Sequence, residues 1–340
     1  VETTGRHRLG RGIVGGGFLA ALDIPATARR MREGDVAPGM LSFAERALLH
    51  EVVRRTWRGD GAIIDGGSFF GSSIVASAEG MLAGHALGDV PRVRFPDGKP
   101  IHGYELGYLP APANEKADRR RVYAGGVEYF LGDSFVPILE KSVAPFEDLV
   151  SLHIGDLNDE SWDGSPIEIA FIDVCKTVQL NAHVSKEFYP ALIPGASTLI
   201  NQDFFFDRLP WIRVTMGYLK DYFRWEGQVF LSSVYRNIKA VPADVAAIDP
   251  FREGTYEECL ELHDAIEYPG IERRTEYLLA LSRAYLRALK HRKDEALDAL
   301  RVVADDYADL LGDEDNPRGN QFRFDRAVRQ ISNGNIFKVS

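Results

Sequence analysis

The chain has 340 residues, 45% of them apolar and 26% charged, a composition that argues against wholesale disorder and allows a sizeable core. With 50 acidic and 40 basic residues the formal net charge is −10, which excludes a nucleic-acid sleeve, since that needs a basic surface to offset phosphate charge. Two isolated cysteines, Cys175 and Cys259, form neither a disulfide framework nor a zinc-ligand spacing and fit a reducing, cytoplasmic setting; no apolar run reaches the ~18–20 residues that span a bilayer.

Residues 1–60 read as an N-terminal extension. Gly10, Gly12 and Gly15 to Gly17 make its first part flexible, and Val1 to Gly17 carries Arg and Gly rather than a signal-type apolar core. The start at Val1 is what a trimmed chain would show. Arg29, Arg30 and Arg32 form one basic cluster and Arg119, Arg120 and Arg121 another, both expected as solvated faces. From Ser42 the pattern becomes helical. Phe43, Ala47, Leu48, Val52 and Val53 share one face, and Ser42 with Glu45 makes a capping box.

Residues 61–240 alternate short apolar strands with amphipathic helices. Strands are predicted at 62–65, 101–106, 150–154, 167–172, 198–201 and 228–234, and helices at 72–82, 134–142, 180–189 and 211–223. Such alternation predicts an α/β, Rossmann-like, doubly wound and mostly parallel sheet with helices on both faces. Residues 241–340 read as a C-terminal helical region. It opens with a Pro- and Asp-bearing connector, followed by a helix over 256–265 and a helical hairpin over 274–311 whose arms meet near Lys290 to Asp294. One such hairpin resembles a single tetratricopeptide-type unit, with Ala284, Tyr285, Ala296 and Leu297 in the small and aromatic positions. A lone unit cannot bury its own faces, so a helical cap packed on the main domain is expected rather than a repeat array. Beyond Asn316 the tail is polar, with Phe322, Phe324 and Phe337 as candidate anchors.

The most informative segment is GAIIDGGSFFGSSIVASAEGML, residues 61–82. An apolar strand ends in Asp65, Gly66, Gly67 and Gly71 follow, and a helix opens at Ser72 or Ser73. Glycines allow a sharp turn and close approach of a ligand, and a helix N-terminus offers free N–H groups to a polar or anionic moiety; a tight turn with no ligand is the plainer alternative. A dinucleotide fingerprint wants G-x-G-x-x-G, whereas this loop reads G-G-S-F-F-G with two phenylalanines inside it. The arrangement resembles the first motif of class I S-adenosylmethionine-dependent methyltransferases, in which an acidic strand end precedes the Gly loop.

That resemblance implies roles for two further acids. The second strand, IHGYELG, ends near Glu105, where a carboxylate can accept both ribose hydroxyls, as NAD-binding folds also do. Asp65 and Glu105 stand about twice the usual ~20 residues apart, which an inserted loop near residues 90–100 would explain. The third strand runs into GDLND, where Asp156 matches the acceptor of the adenine amine. For both acids a surface residue ending a strand is the alternative.

Strands four and five give IEIAFIDVCKT and LIPGASTLINQDFFF, similar to the FIDGDH…LxPGGxxxxDD pattern of macrocin-type small-molecule O-methyltransferases. The likeness covers about residues 60–225, and FIDVCKT…LIPG…NQDF…PWI looks like a group of methyltransferase-like bacterial proteins. Macrocin-type enzymes hold a divalent metal with carboxylates at these strand ends. Here Asp173 remains, Cys175 stands where the next acid is expected, Asn201 and Gln202 replace the acidic pair, and Asp203 follows one position later. Losing carboxylate oxygens lowers affinity for Mg²⁺, so no metal ligands are assigned.

Methyl transfer to oxygen needs a group to take the acceptor's proton. Asp173, Lys176, His183 and Asp203 all map near the carboxyl ends of the central strands, the edge at which open α/β sheets bind ligands. These four are the candidate catalytic residues, expected to line one polar pocket. Lys176 could instead pair with Asp173 or orient a substrate anion, His183 could be structural, and Trp211 could wall the pocket or fill the core. The expectation is an S-adenosylmethionine-dependent enzyme that methylates a small molecule such as a sugar or natural-product scaffold. It needs no nucleic acid or membrane, and a homodimer is compatible with it. Two alternatives stand beside it: a non-catalytic module that binds a nucleotide-like ligand or a partner, and an NAD-linked oxidoreductase.

Overall fold

The computed structural model describes residues 13–34, 36–85, 87–89, 95, 97–109, 121–124, 127–312 and 319–336. Among these the strands are β1 (Ile13–Val14), β2 (Ala62–Gly66), β3 (Ile101–Glu105), β4 (Arg121–Ala124), β5 (Val127–Phe130), β6 (Val150–Ile154), β7 (Ile167–Ile172), β8 (Thr198–Asn201), β9 (Phe223–Val229) and β10 (Ser232–Asn237). The principal helices are α1 (Ile24–Glu33), α2 (Phe43–Thr56), α3 (Ser72–Gly84), α4 (Val136–Val143), α5 (Val178–Phe188) and α6 (Pro210–Tyr218). The chain continues through α7 (Ala243–Ala246), α8 (Pro250–Glu253), α9 (Tyr256–His263), α10 (Arg273–Leu289), α11 (Lys293–Asp306), α12 (Ala308–Leu311) and α13 (Asn320–Asn333). No helix among the described residues is long and apolar enough to cross a membrane.

An eight-stranded sheet runs β1-β9-β10-β8-β7-β2-β3-β6, and β4 and β5 form a separate hairpin. The block β8-β7-β2-β3-β6 is parallel throughout, whereas β10 runs antiparallel to both β8 and β9. Counted from β2 within this sheet, and leaving out the short edge strand β1, the order is 3-2-1-4-5-7-6 with the seventh strand reversed. It departs at that reversed strand from the 3-2-1-4-5-6 order of the dinucleotide-binding fold. The fold is α/β, a Rossmann-like, mostly parallel sheet covered by helices on both faces.

Strand alternation explains the two cores. Successive side chains point to opposite faces, so Ile63, Ile169, Phe171 and Ile200 join α2 and α3 in one cluster, while Ile64, Ala170, Ile172 and Leu199 join α5 and α6 in the other. Strands β2, β7 and β8 are buried along their whole length, which is why they read as near-continuous apolar runs. A third cluster, built on Tyr277, Leu281, Tyr285, Leu300 and Ile331, holds the C-terminal helices together.

Several local expectations need correction. The single strand over 228–234 is a hairpin, β9 and β10, turned at Phe230 with φ +55°. Helix α6 stops at Tyr218, because Phe223 already begins β9. Residues 24–33 form a helix, and the polar tail contains α13 with buried Ala327 and Ile331. Helix α1 packs on the next helix, α2, and α13 on α10, α11 and α12 just before it in the chain. Leu19, Ile24, Ala28, Leu48 and Val52 lie in the same core as β2, so the N-terminal segment helps to build the sheet's cover. Phe324 packs on the third cluster and Phe322 is 52% exposed. Gly10, Gly12, Arg119, Arg120, Phe337 and most of the 90–100 loop lie outside the described residues, as do the side chain of Arg121 and its surroundings.

The C-terminal helices are fastened to the segment that follows β8. Arg213 on α6 is fully buried, donates to His263 Nε2 on α9 at 2.8 Å, and also reaches Ser282 on α10 and the Phe204 carbonyl. Asp207, fully buried, accepts from Arg323 and Arg326 of α13 at 2.5 and 2.7 Å. A buried carboxylate needs such partners, and here they couple α13 to the stretch that carries Asp203.

Candidate active site

The sheet order reverses between β2 and β7, and open α/β sheets bind ligands at the strand carboxyl ends there. Strand β2 ends in Asp65 and Gly66. The Asp65 carboxyl is fully buried, Ser68 Oγ donates to its Oδ1 at 2.8 Å, and its Oδ2 has no hydrogen-bond partner among the described residues. Burial pushes Asp65 up to about 7, against the pull of nearby serine hydroxyls.

Gly67 then turns the chain with φ +95°, a conformation that L side chains avoid. A Cβ on Gly67 would stand 2.9 Å from both the carbonyl carbon and the carbonyl oxygen of Asp173. The N–H of Asp173 in turn donates to the Gly66 carbonyl at 2.7 Å. The Gly loop and the end of β7 are thus in direct backbone contact. Gly71, φ +93°, precedes α3, and a Cβ there would press on Leu139, Ser142 and Val143 of the region around α4. Ser72 opens α3 and is nearly buried.

The two phenylalanines of the loop fix its shape. Phe69, at φ +47°, stacks on Phe70 at 3.8 Å between ring centroids and meets Phe135 edge-on at 4.9 Å. Phe70, Tyr129 and Phe135 form a buried aromatic cluster beneath it. With its ring held, the Phe69 N–H donates to Glu105 Oε2 at 2.6 Å, and the Gly107 N–H donates to Oε1 at 3.2 Å. Burial raises the Glu105 pKa while these N–H groups oppose the shift. A carboxylate offers about four acceptor sites. The two backbone bonds orient Glu105 and leave capacity for ligand hydroxyls. Asp156, at the end of β6, is exposed and accepts from the N–H and the side-chain amide of Asn158 at 2.9 and 2.8 Å.

On the other side of the switch point, Asp173, Lys176 and Asp203 meet. Lys176 Nζ donates to Asp173 Oδ1 and to Asp203 Oδ2, each at 2.5 Å. Asp203 is placed by a turn after β8, in which it adopts φ +58°. Burial raises the Asp173 pKa, Lys176 opposes this, and Asp203 adds to it. Burial acts against the charge on Lys176, but the two carboxylates outweigh it and the ammonium is stabilised. Glu45 approaches from α2. It completes the capping box with Ser42, accepts from Ser232 Oγ at 2.9 Å, and is raised by burial, with a smaller contribution from Asp203. The capping pattern was legible in sequence; the pairing with β10 was not, because Ser232 is 187 positions away.

His183 does not join this group. Its Nε2 lies 2.9 Å from the Glu160 carbonyl, and it lines a separate cavity of about 390 Å³ with Gln179, Lys186, Arg252 and Glu253. Helical spacing is the reason: Val178, Asn181, Val184, Ser185 and Phe188 form the buried face of α5, which turns position 183 to the opposite side of the helix. Trp211 is core, with Nε1 donating to the Cys175 carbonyl at 3.0 Å. Cys175 is itself buried, which pushes its thiol up to about 12, too high for thiolate chemistry near neutral pH.

No protein-family model matches the sequence, and no curated protein matches it. Solved structures with a similar fold include the O-methyltransferase NovP, at 12% identity and a TM-score of 0.43 over 59% of this chain and 82% of that one. A putative RNA methyltransferase from Pyrococcus horikoshii, PH1948, is similar at 9% identity and a TM-score of 0.37, over 64% of this chain and 98% of that one. An O-methyltransferase from Bacillus cereus in complex with SAH is similar at 13% identity and a TM-score of 0.36, over 64% of this chain and 90% of that one.

Proposed function

We propose that the protein is an S-adenosylmethionine-dependent methyltransferase acting on a hydroxyl of a small molecule, with a sugar or natural-product scaffold as the acceptor class. The observation that carries this reading is the backbone contact between Gly67 and Asp173. It makes the Gly loop and the Asp173–Lys176–Asp203 group two walls of one site at the topological switch point. The residues fit an S-adenosyl ligand: a Gly66–Gly67–Gly71 loop with positive-φ turns at Gly67 and Gly71, the first turn of α3 at Ser72, the Asp65 carboxyl, and Glu105 held by the Phe69 and Gly107 N–H groups with capacity left for ribose hydroxyls. Asp156 is assigned to the adenine amine.

When bound, S-adenosylmethionine supplies an electrophilic methyl group. The chain's own residues prepare the acceptor. Asp173 is placed to take the proton of the acceptor hydroxyl as that oxygen attacks the methyl group that bound S-adenosylmethionine would supply. Lys176 offers a third N–H to the acceptor oxygen, since an ammonium has three donors and the two carboxylates engage two of them. Asp203 holds Lys176 from the far side. His183 is left out of this scheme by its position.

Calorimetry with S-adenosylmethionine, S-adenosylhomocysteine and NAD tests the reading. Both S-adenosyl compounds are expected to bind, and Glu105→Ala is expected to weaken them by roughly 10- to 100-fold, the equivalent of a charged hydrogen bond worth about 1.5–3 kcal/mol. Binding of NAD alone would overturn the assignment.

A further inference from the structure

The macrocin-type pattern implies a divalent metal held by carboxylates at the ends of β7 and β8, and the side chains found there do not fit one. Hard divalent cations take six or more oxygen ligands. The two acids at these strand ends, Asp173 and Asp203, both close on the Lys176 ammonium at 2.5 Å. The third nearby carboxylate, Glu45, is engaged by Ser42 and Ser232. Asn201 is buried in β8, and Cys175 is a buried neutral thiol. Among the described residues no three His, Cys, Asp or Glu side chains stand together as metal ligands.

We infer that the Lys176 ammonium is a built-in replacement for the divalent cation, a fixed positive charge that draws Asp173 and Asp203 together and points its remaining donor at the acceptor oxygen. The geometry explains three features at once. Asp203, at φ +58°, brings its carboxylate to the Lys176 ammonium that Asp173 also holds. Lys176 sits three residues after Asp173 in a tight turn, its N–H donating to the Val174 carbonyl at 2.6 Å, so its side chain returns to the strand end instead of extending along α5. Its side chain is 47% exposed while Asp173 and Asp203 are 23% and 16% exposed, so the lysine reaches the carboxylate pair from the solvent side, the side from which an acceptor would arrive. A divalent ion entering between the same two carboxylates would meet a like charge at contact distance, a strongly unfavourable arrangement in a partly desolvated site. A lysine also needs no loading, so the charge is present whatever the metal supply.

The inference rests on the proposed acceptor side for its purpose, but its test reads metal binding and needs neither cofactor nor turnover. Mn²⁺ is titrated into the full chain at neutral pH and bound ion is followed by electron paramagnetic resonance. The wild type is expected to take up no Mn²⁺ at micromolar concentrations. Lys176→Ala, which frees both carboxylates, is expected to gain Mn²⁺ affinity by at least tenfold. Lys176→Arg should not gain it, and adding Asp173→Asn to Lys176→Ala should remove the gain. Stoichiometric Mn²⁺ uptake by the wild type that Asp173→Asn abolishes would overturn the inference, and this arm needs no lysine variant to fold. A folded Lys176→Ala protein that gains no affinity would overturn it as well. Either result leaves the binding of S-adenosyl compounds to be judged separately by calorimetry.

Discussion

Replacing Gly67 by alanine probes the contact that joins the two walls of the site. Two costs add at this position. The backbone sits at φ +95°, and holding an L residue in a left-handed region costs roughly 1–2 kcal/mol. The new Cβ would also stand 2.9 Å from the carbonyl carbon and oxygen of Asp173. Those are backbone atoms that cannot step aside, so an overpacking cost of about 1–3 kcal/mol follows. Two controls separate the costs. Gly164→Ala carries the strain alone, since φ is +84° there and no atom lies within 4 Å of the added Cβ. Gly61→Ala carries the clash alone, with its Cβ 2.7 Å from the Glu168 amide nitrogen and 2.8 Å from the Pro166 carbonyl oxygen. Urea unfolding should rank Gly67→Ala as the most destabilised, by about 2–5 kcal/mol, near the sum of the controls. Calorimetry should show that only Gly67→Ala also loses S-adenosylhomocysteine affinity, by at least about tenfold, because its strain is relieved by moving the loop off Asp173. A Gly67→Ala protein as stable as Gly164→Ala, with unaltered binding, would refute the reasoning.

Asp65 is a buried acid raised to about 7, so the folded state holds a proton that the unfolded chain releases near pH 4. That contribution to stability is complete below about pH 4, the unfolded value, and is lost as pH rises through about 7. Asp65→Asn should flatten the fall in stability between those limits, which amounts to at most about 4 kcal/mol for a shift of this size; an unchanged slope in pH-dependent unfolding would count against it. Asp207→Ala strands Arg323 and Arg326, and breaking a buried pair costs about 3–5 kcal/mol. Limited proteolysis should then cut within α13 first, and an unchanged cleavage pattern would show that the pair does not hold the helix. Asp173→Asn should lower kcat by ~10²–10⁴-fold while leaving cofactor affinity nearly intact. His183→Ala should leave kcat within a few-fold, and a large loss there would return His183 to the mechanism.

The order of elements was legible in the sequence because buried parallel strands leave an unmistakable trace. Runs such as AIID and IEIAFI are apolar on both faces, short and followed by turn residues, and the Gly loop after Asp65 announces a strand-to-helix turn. Glu105 was legible by its place at a strand end. What the sequence could not supply was pairing across long separations. The hairpin turn at Phe230, a non-glycine at positive φ, disguised two strands as one, and that β10 rather than β9 neighbours β8 is a pairing that local pattern does not carry. Lys176, Asp173 and Asp203 could be put at one edge of the sheet by topology, but their convergence on a single ammonium depends on the turn that sets the Asp203 carboxylate beside Lys176. His183 shows the reverse: it shares their stretch of sequence, yet one and a half turns of α5 carry it to a different cavity. Glu45 and Asp207 find their partners 187 and over 100 residues away, where local pattern carries no information. Local sequence sets backbone preference and apolar periodicity; which charged groups meet is decided by how the sheet and its covering helices pack, because only packing brings distant strand ends within hydrogen-bonding range.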